Sequence, residues 1–454
     1  MKKRYTSAIA TLGLAIAGLT IPTLAGTAQA GEEAAPAGFD QFIVTYADQA
    51  VASRGVGHSG VTHVRDMANG GVVVKAKNGL TKAGAQKLMG DLRKQSGVVA
   101  VEPDLIMTAQ TNDSRYAEQW DLFEATAGMN APAAWATADG AGVVVAVIDT
   151  GITPHSDLNA NLLPGYDFIS TAADARDGNG RDANPNDEGD WYAAGECGSA
   201  TPSNSSWHGS HVAGTIAGVS DNNNGIAGIA GKAKIVPVRV LGKCGGRTSD
   251  IADAITWASG GKVTRVPANP NPAKVINMSL GGASSCSATY QRAIDGAVKR
   301  GTTVVVAAGN SNMDVAGFTP ANCNNVVSVA ASDREGNRAF YSNFGAKIDV
   351  TAPGGEVRNE TDAPGTRTKP QDGILSTINA GLTVQTAEDY KTFMGTSMAA
   401  PHVAGLVALM LGEKALTPAQ VEAALKANVR PLAGTCTGGC GTGLIDAGAT
   451  IANI

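Results

Sequence analysis

Residues 142–151, Gly-Val-Val-Val-Ala-Val-Ile-Asp-Thr-Gly, form a run of β-branched side chains that ends in a carboxylate and a glycine. Similar apolar runs follow at 235–241, 275–280, 302–308 and 326–331. Helical patterns lie among and after them, at 208–219, 248–259, 287–300, 397–411 and 417–428. Near-continuous apolar strands that alternate with helices predict an α/β fold, in which helices cover both faces of a mostly parallel sheet.

Polar residues stand where two of these predicted strands end. Asp149 follows the first run directly, and Asn310 follows the run 302–308 after one glycine. In open α/β sheets, functional sites form beyond the carboxyl ends of the strands. Each residue also has a structural interpretation, because Asp can cap local backbone and Asn is common in turns.

Two histidines open the predicted helix at 208–219, in the segment His208-Gly209-Ser210-His211. A zinc site is one interpretation, but the segment lacks the His-Glu-x-x-His pattern that supplies both metal ligands and a base. A neutral imidazole at the start of a helix suits a general base instead.

A serine opens the helix of small residues in Gly395-Thr396-Ser397-Met398-Ala399-Ala400-Pro401-His402. Serine is a favoured helix cap, so the position alone indicates little. A nucleophilic hydroxyl needs a base, and that base needs an orienting acid. All three residue types occur here in the chain order Asp, His, Ser, which is the order found in subtilisin.

These segments resemble the subtilisin-like serine proteases, and the resemblance extends over about residues 120–454. It implies a subtilisin-like three-layer fold and a serine endopeptidase that hydrolyses peptide bonds through an acyl-enzyme on Ser397. His208 would be the base, with Asp149 orienting its imidazole, and Asn310 would stabilise the oxyanion. His211 and His402 would then be structural.

The same resemblance implies a cleft that binds extended protein or peptide substrates. Its two walls would comprise Ser279, Leu280, Gly281, Ala308 and Gly309. Phe318 or Thr319 would form the floor. No acidic residue stands among these positions, so we expect an apolar side chain in the primary pocket.

Calcium is the expected cofactor, because many family members hold this ion and oxygen-rich segments suit it. Asp157, eight residues after Asp149, and Asn222, which lies in the loop 220–226, match family ligand positions. Gln119 is a further candidate. Asp187 belongs to a second candidate, the acidic segment 174–190, where crowded carboxylates favour a cation. That segment could instead be a solvated acidic loop.

The N-terminal part of the chain has a different character. Residues 1–30 combine a basic start, an apolar run and an Ala-Gln-Ala end, which predicts a secretory signal peptide rather than a membrane anchor. Residues 31–110 predict a small α+β domain that resembles the family's inhibitory propeptide, although a retained domain is the alternative. Residues 111–454 would form the peptidase domain of a secreted, autoprocessed zymogen.

Six cysteines in an exported chain predict disulfides, and proximity along the chain favours 197–244, 286–323 and 436–440 among the 15 possible pairings. The net charge of −5 gives no indication that the protein binds nucleic acid. We expect a monomer without a stable membrane anchor. An esterase is less favoured because no Gly-x-Ser-x-Gly elbow is present. A non-catalytic protein on this fold remains the other alternative.

Overall fold

The computed structural model describes residues 41–47, 60–77, 80, 82–104 and 111–454. The predicted signal peptide at 1–30 and the predicted cleavage region near Gln110 lie outside the described residues. The chain divides into two compact units, Met1–Ile106 and Met107–Ile454.

The first unit is a small α+β structure. It contains strands β1 (Gln41–Tyr46), β2 (Val61–Asp66), β3 (Val72–Ala76) and β4 (Val98–Pro103), and helix α1 (Lys82–Arg93). The strands pair antiparallel in the order β2-β3-β1-β4. Strand β2 was not predicted, because five of its six residues are exposed and its sequence lacks an apolar run.

The second unit contains a large sheet and further strands outside that sheet. Its strands are β5 (Val144–Asp149), β6 (Tyr166–Asp167), β7 (Lys234–Arg239), β8 (Val275–Met278), β9 (Gly282–Ala283), β10 (Thr303–Ala307), β11 (Phe318–Thr319), β12 (Val327–Ser332), β13 (Val350–Pro353), β14 (Ile374–Asn379), β15 (Glu388–Phe393), β16 (Val429–Arg430) and β17 (Leu444–Ile445). Nine of them form one sheet in the order β16-β17-β13-β12-β10-β8-β5-β7-β6. All neighbours in it run parallel except the β16–β17 pair.

Helices cover both faces of this sheet. They are α2 (Trp120–Phe123), α3 (Ala131–Trp135), α4 (Ala172–Ala175), α5 (His208–Ala217), α6 (Thr248–Ala258), α7 (Ala288–Lys299), α8 (Thr396–Glu413), α9 (Pro418–Ala427) and α10 (Ala447–Ala452). The predicted helices and central strands agree with these bounds to within a few residues at each end. The α/β prediction is confirmed.

Strand β5 shows how the sequence divides its side chains between the two layers. Successive side chains of a strand point to opposite faces. Val145 and Val147 accordingly pack in the core that includes α5 and α8. Ala146 and Ile148 pack in a second core with α6 and α7. Because both faces are buried, the strand has no polar position until Asp149, which brings this carboxylate to the sheet edge.

The hairpin β14–β15 braces helix α5. Its hydroxyls donate to backbone carbonyls of the helix, Ser376 Oγ to His211 O at 2.7 Å and Thr377 Oγ1 to Ser210 O at 2.9 Å. Gly214 permits this approach, since a Cβ there would lie 2.3 Å from Thr377 Oγ1. The hairpin was not predicted, because β15 is largely polar and half of its residues are exposed.

Three disulfides join Cys197 to Cys244, Cys286 to Cys323 and Cys436 to Cys440. The pairing favoured by proximity along the chain is confirmed. Among the described residues, no helix combines the length and apolar character that crossing a bilayer requires.

Candidate active site

Asp149 and His208 meet where the end of β5 faces the start of α5. The Nδ1 atom of His208 lies 2.8 Å from Oδ1 and 3.0 Å from Oδ2 of Asp149, whose carboxylate is fully buried. Burial lowers the pKa of His208, but the negative charges of Asp149, Asp190 and Asp187 outweigh burial and raise it. The carboxylate therefore fixes the ring orientation and favours its protonated form.

Ser397 lies at the start of α8 and is tied to the end of β8 by two hydrogen bonds. Its Oγ donates to Ser279 O at 3.2 Å, and Ser279 Oγ donates to Ser397 O at 2.8 Å. Pro401 explains the second bond, because proline has no N–H to donate to the carbonyl four residues earlier in the helix. The strand end thus supplies the donor that the helix lacks.

Ser279 also connects the serine with the histidine. Ser279 and His208 line one cleft, with a volume of about 800 Å³. The Ser397 hydroxyl is bonded to Ser279 O at 3.2 Å, which links Ser397 to the residue that shares the cleft with His208.

Asn310 is held at the same edge through its acceptor atom. Its Oδ1 accepts hydrogen bonds from Thr396 N at 2.8 Å and Thr396 Oγ1 at 2.9 Å. Thr396 Oγ1 also accepts from Gly309 N at 3.0 Å, which locks the group. Among the described residues the Asn310 amide NH₂ has no partner, so it is free to donate to an anion beside Ser397.

The predicted cleft walls meet at one aromatic ring. Ser279, Leu280 and Gly281 line the cleft, as does Thr319. A Cβ at Gly281 would lie 2.4 Å from Phe318 Cε1, and one at Gly309 would lie 2.8 Å from the same atom. Glycine at both positions lets the Phe318 ring approach both predicted walls, while Thr319 lines the cleft itself.

Ala308 lies behind this wall rather than on its surface. Its side chain is fully buried in the core beside α6 and α7. Its carbonyl accepts a hydrogen bond from Asn343 Nδ2 at 2.8 Å. Ala308 therefore supports the backbone of Gly309 and Asn310 without itself facing the cleft.

Residues 140–443 match the model of the Subtilase family, Peptidase_S8. The chain belongs to the subtilase family. It is therefore a subtilisin-like serine endopeptidase, which confirms the family, fold and enzyme class predicted from the sequence.

Relatives of this subtilase include proteins whose names describe them as extracellular. It is 51% identical over 457 residues to the "Extracellular protease" of Xanthomonas campestris pv. campestris, covering 95% of this chain and 76% of that protein. It is 41% identical over 447 residues to the "Extracellular basic protease" of Dichelobacter nodosus, covering 92% and 71%. A solved protease structure from Pseudoalteromonas arctica matches with a TM-score of 0.73 and 55% identity, over 76% of this chain and 99% of that one.

The subtilase's first predicted calcium segment brings Asp157 and Asn222 together. Asp157 Oδ1 accepts from Asn222 Nδ2 at 2.7 Å, and its Oδ2 accepts from Ile226 N at 2.8 Å. Burial raises the pKa of Asp157, so a nearby cation would favour its charged form. Asp113 joins the same loop by accepting from Asn222 N at 3.1 Å.

Gln119 binds the residue that follows this loop. Its amide donates to Ala227 O at 2.9 Å and accepts from Ala227 N at 2.8 Å. The oxygens of Asp113, Asp157 and Asn222 also accept hydrogen bonds from the backbone and side chains of the loop. Carboxylate and amide oxygens suit a hard cation, and calcium ligation by Asp157, Asn222 and Gln119 stays a prediction.

Asp187 does not lie in a metal cluster of this subtilase. The part of the chain that the structure describes holds no group of three or more His, Cys, Asp or Glu side chains placed to bind a metal ion. Asp187 Oδ2 instead accepts from Thr150 Oγ1 at 2.5 Å, and Oδ1 from Gly189 N at 2.9 Å. Asp177, in the same acidic segment, lies 3.7 Å from Arg239. Calcium binding by Asp187 stays a prediction, and the contacts of its carboxylate are those of a buried hydrogen-bond acceptor.

Proposed function

We propose that this chain is a secreted endopeptidase that hydrolyses protein substrates through an acyl-enzyme on Ser397 and is made as an autoprocessed zymogen. The observation that carries the proposal is the orientation of His208 by the buried Asp149 in a cleft that Ser279 shares. This arrangement supports the transfer of a proton from Ser397 to His208.

The first half of the reaction forms the acyl-enzyme. Rotation of the Ser397 hydroxyl brings its proton to Nε2 of His208, and Oγ attacks the scissile carbonyl carbon. Negative charge develops on the carbonyl oxygen, where the Asn310 amide and the Ser397 backbone N–H can donate. His208 then gives its proton to the departing amine, and the C–N bond breaks.

The second half reverses these roles with water as the nucleophile. His208 takes a proton from water, whose oxygen attacks the acyl carbon. Collapse of the second oxyanion breaks the bond to Ser397 Oγ, which recovers its proton from His208. Both halves use the same donors.

An extended peptide suits the cleft better than a small ester. The backbone of Ser279, Leu280 and Gly281 follows directly after β8, and such a segment can pair with an extended chain. The Phe318 ring between Gly281 and Gly309 favours an apolar substrate side chain. These features support protein substrates.

The test is the Ser397→Ala variant. We expect its casein hydrolysis to fall by a factor on the order of 10⁶, the magnitude known for subtilisin itself. It should also accumulate with residues 31–110 still attached, because no nucleophile remains to cut them off. Gel analysis and mass measurement of the secreted protein would report both effects.

The matched control is Ser203→Ala, which removes an exposed serine hydroxyl that bonds only the neighbouring Asn204 carbonyl. This variant should process itself and cleave casein normally. Full proteolysis by Ser397→Ala would contradict the proposal.

Secretion and the propeptide role have separate support. Both curated relatives carry extracellular names, and residues 1–30 have the composition of a signal peptide. The first unit is compact by itself, as a folding aid and inhibitor of the peptidase domain would need to be. We also propose that the mature enzyme is a monomer.

We propose calcium as a structural ion at the loop 220–226. Asp113, Asp157 and Asn222 would hold it, and the ion would offset the burial of the Asp157 carboxylate. In the Ser397→Ala background, where autolysis is absent, calcium should raise Tm over EGTA, because a ligand of the native state stabilises it.

Asp157→Asn should remove most of this difference between calcium and EGTA, whereas Asp187→Asn should leave it intact. Magnesium serves as the control ion, since it prefers a smaller octahedral site. Equal Tm values in calcium and EGTA would contradict a calcium site.

A further inference from the structure

We propose that Asp187 and Asp190 are positioning residues of the catalytic site, a pair of carboxylates that hold Asp149 and His208 through Thr150 and Ser206. The inference rests on the proposed role of His208 as the base. Neither carboxylate contacts the reacting atoms, so neither is a catalytic residue.

The Asp187 arm reaches both triad members through one hydroxyl. Thr150 Oγ1 donates to Asp187 Oδ2 at 2.5 Å and accepts from Gly209 N at 3.0 Å. Gly209 directly follows His208, and the Thr150 backbone N–H donates to Asp149 Oδ1 at 2.7 Å. Because Asp187 takes the only proton of this hydroxyl, its lone pairs remain turned toward the first turn of α5.

Asp190 holds the residue two positions before His208, whereas the contacts of Asp187 reach the residue directly after it. Asp190 Oδ1 accepts from Ser206 N at 2.6 Å, and Oδ2 accepts from Ser206 Oγ at 2.8 Å. Ser206 Oγ in turn accepts from His208 N at 3.3 Å. A carboxylate that accepts two bonds from one serine fixes that serine, and through it the backbone of the base.

Asp187 and Asp190 both belong to the short segment 187–190, which is bound to the chain just after β5. Asp187 N donates at 2.9 Å to the carbonyl of Ile152, which follows Asp149 by three residues. Asp187 and Thr150 are almost completely buried. Burial raises the pKa of Asp187 to about 7, so this residue acts on its neighbours through its charge above that pH and through its hydrogen bonds throughout.

The charges around His208 determine when it can act as a base. Asp149, Asp190 and Asp187 all raise the pKa of His208 against the effect of burial. His211 is a further neighbour, whose pKa burial lowers to about 3, so it carries no charge in the working range. Two permanent cations face the outer carboxylates: Arg239 lies near Asp187 and Arg176 near Asp190. Removing one of the outer carboxylates should therefore make His208 neutral at lower pH.

The direct test is the pH dependence of kcat/KM for a short peptide substrate at constant ionic strength. The acid limb reports the protonation of the base in the free enzyme. Asp187→Asn and Asp190→Asn should each move this limb to lower pH by about 0.3–1 unit, less than the ~1–3 units that a directly contacting charge produces.

Asp182→Asn is the matched control, since Asp182 lies on the same acidic segment but its carboxylate accepts from the local Asn184 N. Its acid limb should stay in place. If Asp187→Asn and Asp190→Asn lower kcat/KM equally at every pH and leave the limb unmoved, they act only as structural braces and the inference is overturned.

A second measurement does not depend on activity. In the Ser397→Ala background, NMR titration of the His208 imidazole, assigned with His208→Gln, should show the same downward shift in Asp187→Asn and Asp190→Asn. An unshifted titration would overturn the inference even if activity changed. An inactive wild-type chain would contradict the proposed function instead, while the NMR result would still stand.

Discussion

Asn310 illustrates how a donor is prepared by fixing the opposite atom of the same group. Two bonds from Thr396 hold its Oδ1, so the amide cannot exchange its oxygen and nitrogen without losing both. The NH₂ group therefore faces the position beside Ser397 before any substrate arrives. Donors that are preorganised in this way need no rearrangement as charge develops.

Asn310→Ala should lower kcat by about 10²–10³ and change KM little, because the lost bond forms mainly in the transition state; that magnitude is the one known for subtilisin. Steady-state kinetics with a peptide substrate would measure both constants. Asn204→Ala, an exposed asparagine, is the control and should behave as wild type. A raised KM with unchanged kcat would contradict the oxyanion role.

Residue patterns singled out the four proposed reacting groups but not the groups that support them. Asp149 was noticed because it ends a buried strand and Asn310 because it closely follows one, while Ser397 and His208 lie at the starts of helices. The contact between Asp187 and Thr150 was not predicted, because a local cluster of acids does not reveal distant partners. Its hydroxyl partner, Thr150, carries no motif of its own beyond its position after Asp149.

At the scale of elements, the short helix α2 is fastened to α8 by a buried pair. His402 Nε2 lies 2.9 Å from Asp121 Oδ2, and His402 Nδ1 lies 2.7 Å from Met398 O. Each ring nitrogen of His402 therefore lies within hydrogen-bond distance of an acceptor oxygen. Both side chains are essentially unexposed.

Asp121→Ala should lower the free energy of unfolding by about 3–5 kcal/mol, because it leaves the partner of a buried pair uncompensated. Asp121→Asn should lose less, since its amide can donate to an unprotonated Nε2. Chemical denaturation in the Ser397→Ala background would compare the two. Equal losses would show that a hydrogen-bonding side chain at position 121 does not compensate for the lost carboxylate.

Elements that bury an apolar face were predictable, and elements without one were not. Strand β10, Thr303–Ala307, is fully buried and has a continuous apolar sequence. Strand β15, by contrast, is recognised only through its pairing with β14, which is a contact between residues distant in the chain. A pattern within one segment contains no information about such a partner.

At the scale of the whole molecule, the disulfides differ in how much chain they restrain. Cys197–Cys244 and Cys286–Cys323 span 47 and 37 residues, whereas Cys436–Cys440 spans 4. Loop-closure entropy predicts a stabilisation of about 4 kcal/mol for each of the first two and about 2 kcal/mol for the third.

Replacing each pair with alanines in the Ser397→Ala background should follow this order in denaturant unfolding. The Cys436–Cys440 variant is the internal control, because it changes the same residue types with little loop restraint. A largest loss for Cys436–Cys440 would contradict the loop-length argument.

The global architecture was predictable because strand and helix periods alternate so regularly after residue 142. The domain boundary between residues 110 and 111 stays a prediction, since residues 105–110 lie outside the described part of the chain. What periodicity cannot supply is the arrangement of strands, in which β8 and β5 are neighbours although β6 and β7 come between them in the chain.

The proline in α8 has a consequence for how this enzyme can evolve. Because Pro401 leaves the Ser397 carbonyl to accept from the hydroxyl of Ser279, the segment proposed to bind substrate is hydrogen-bonded to the proposed nucleophile. A substitution of Ser279 that alters substrate selectivity would therefore also change the orientation of Ser397. New substrate preferences should arise more readily at cleft residues that make no hydrogen bond to Ser397.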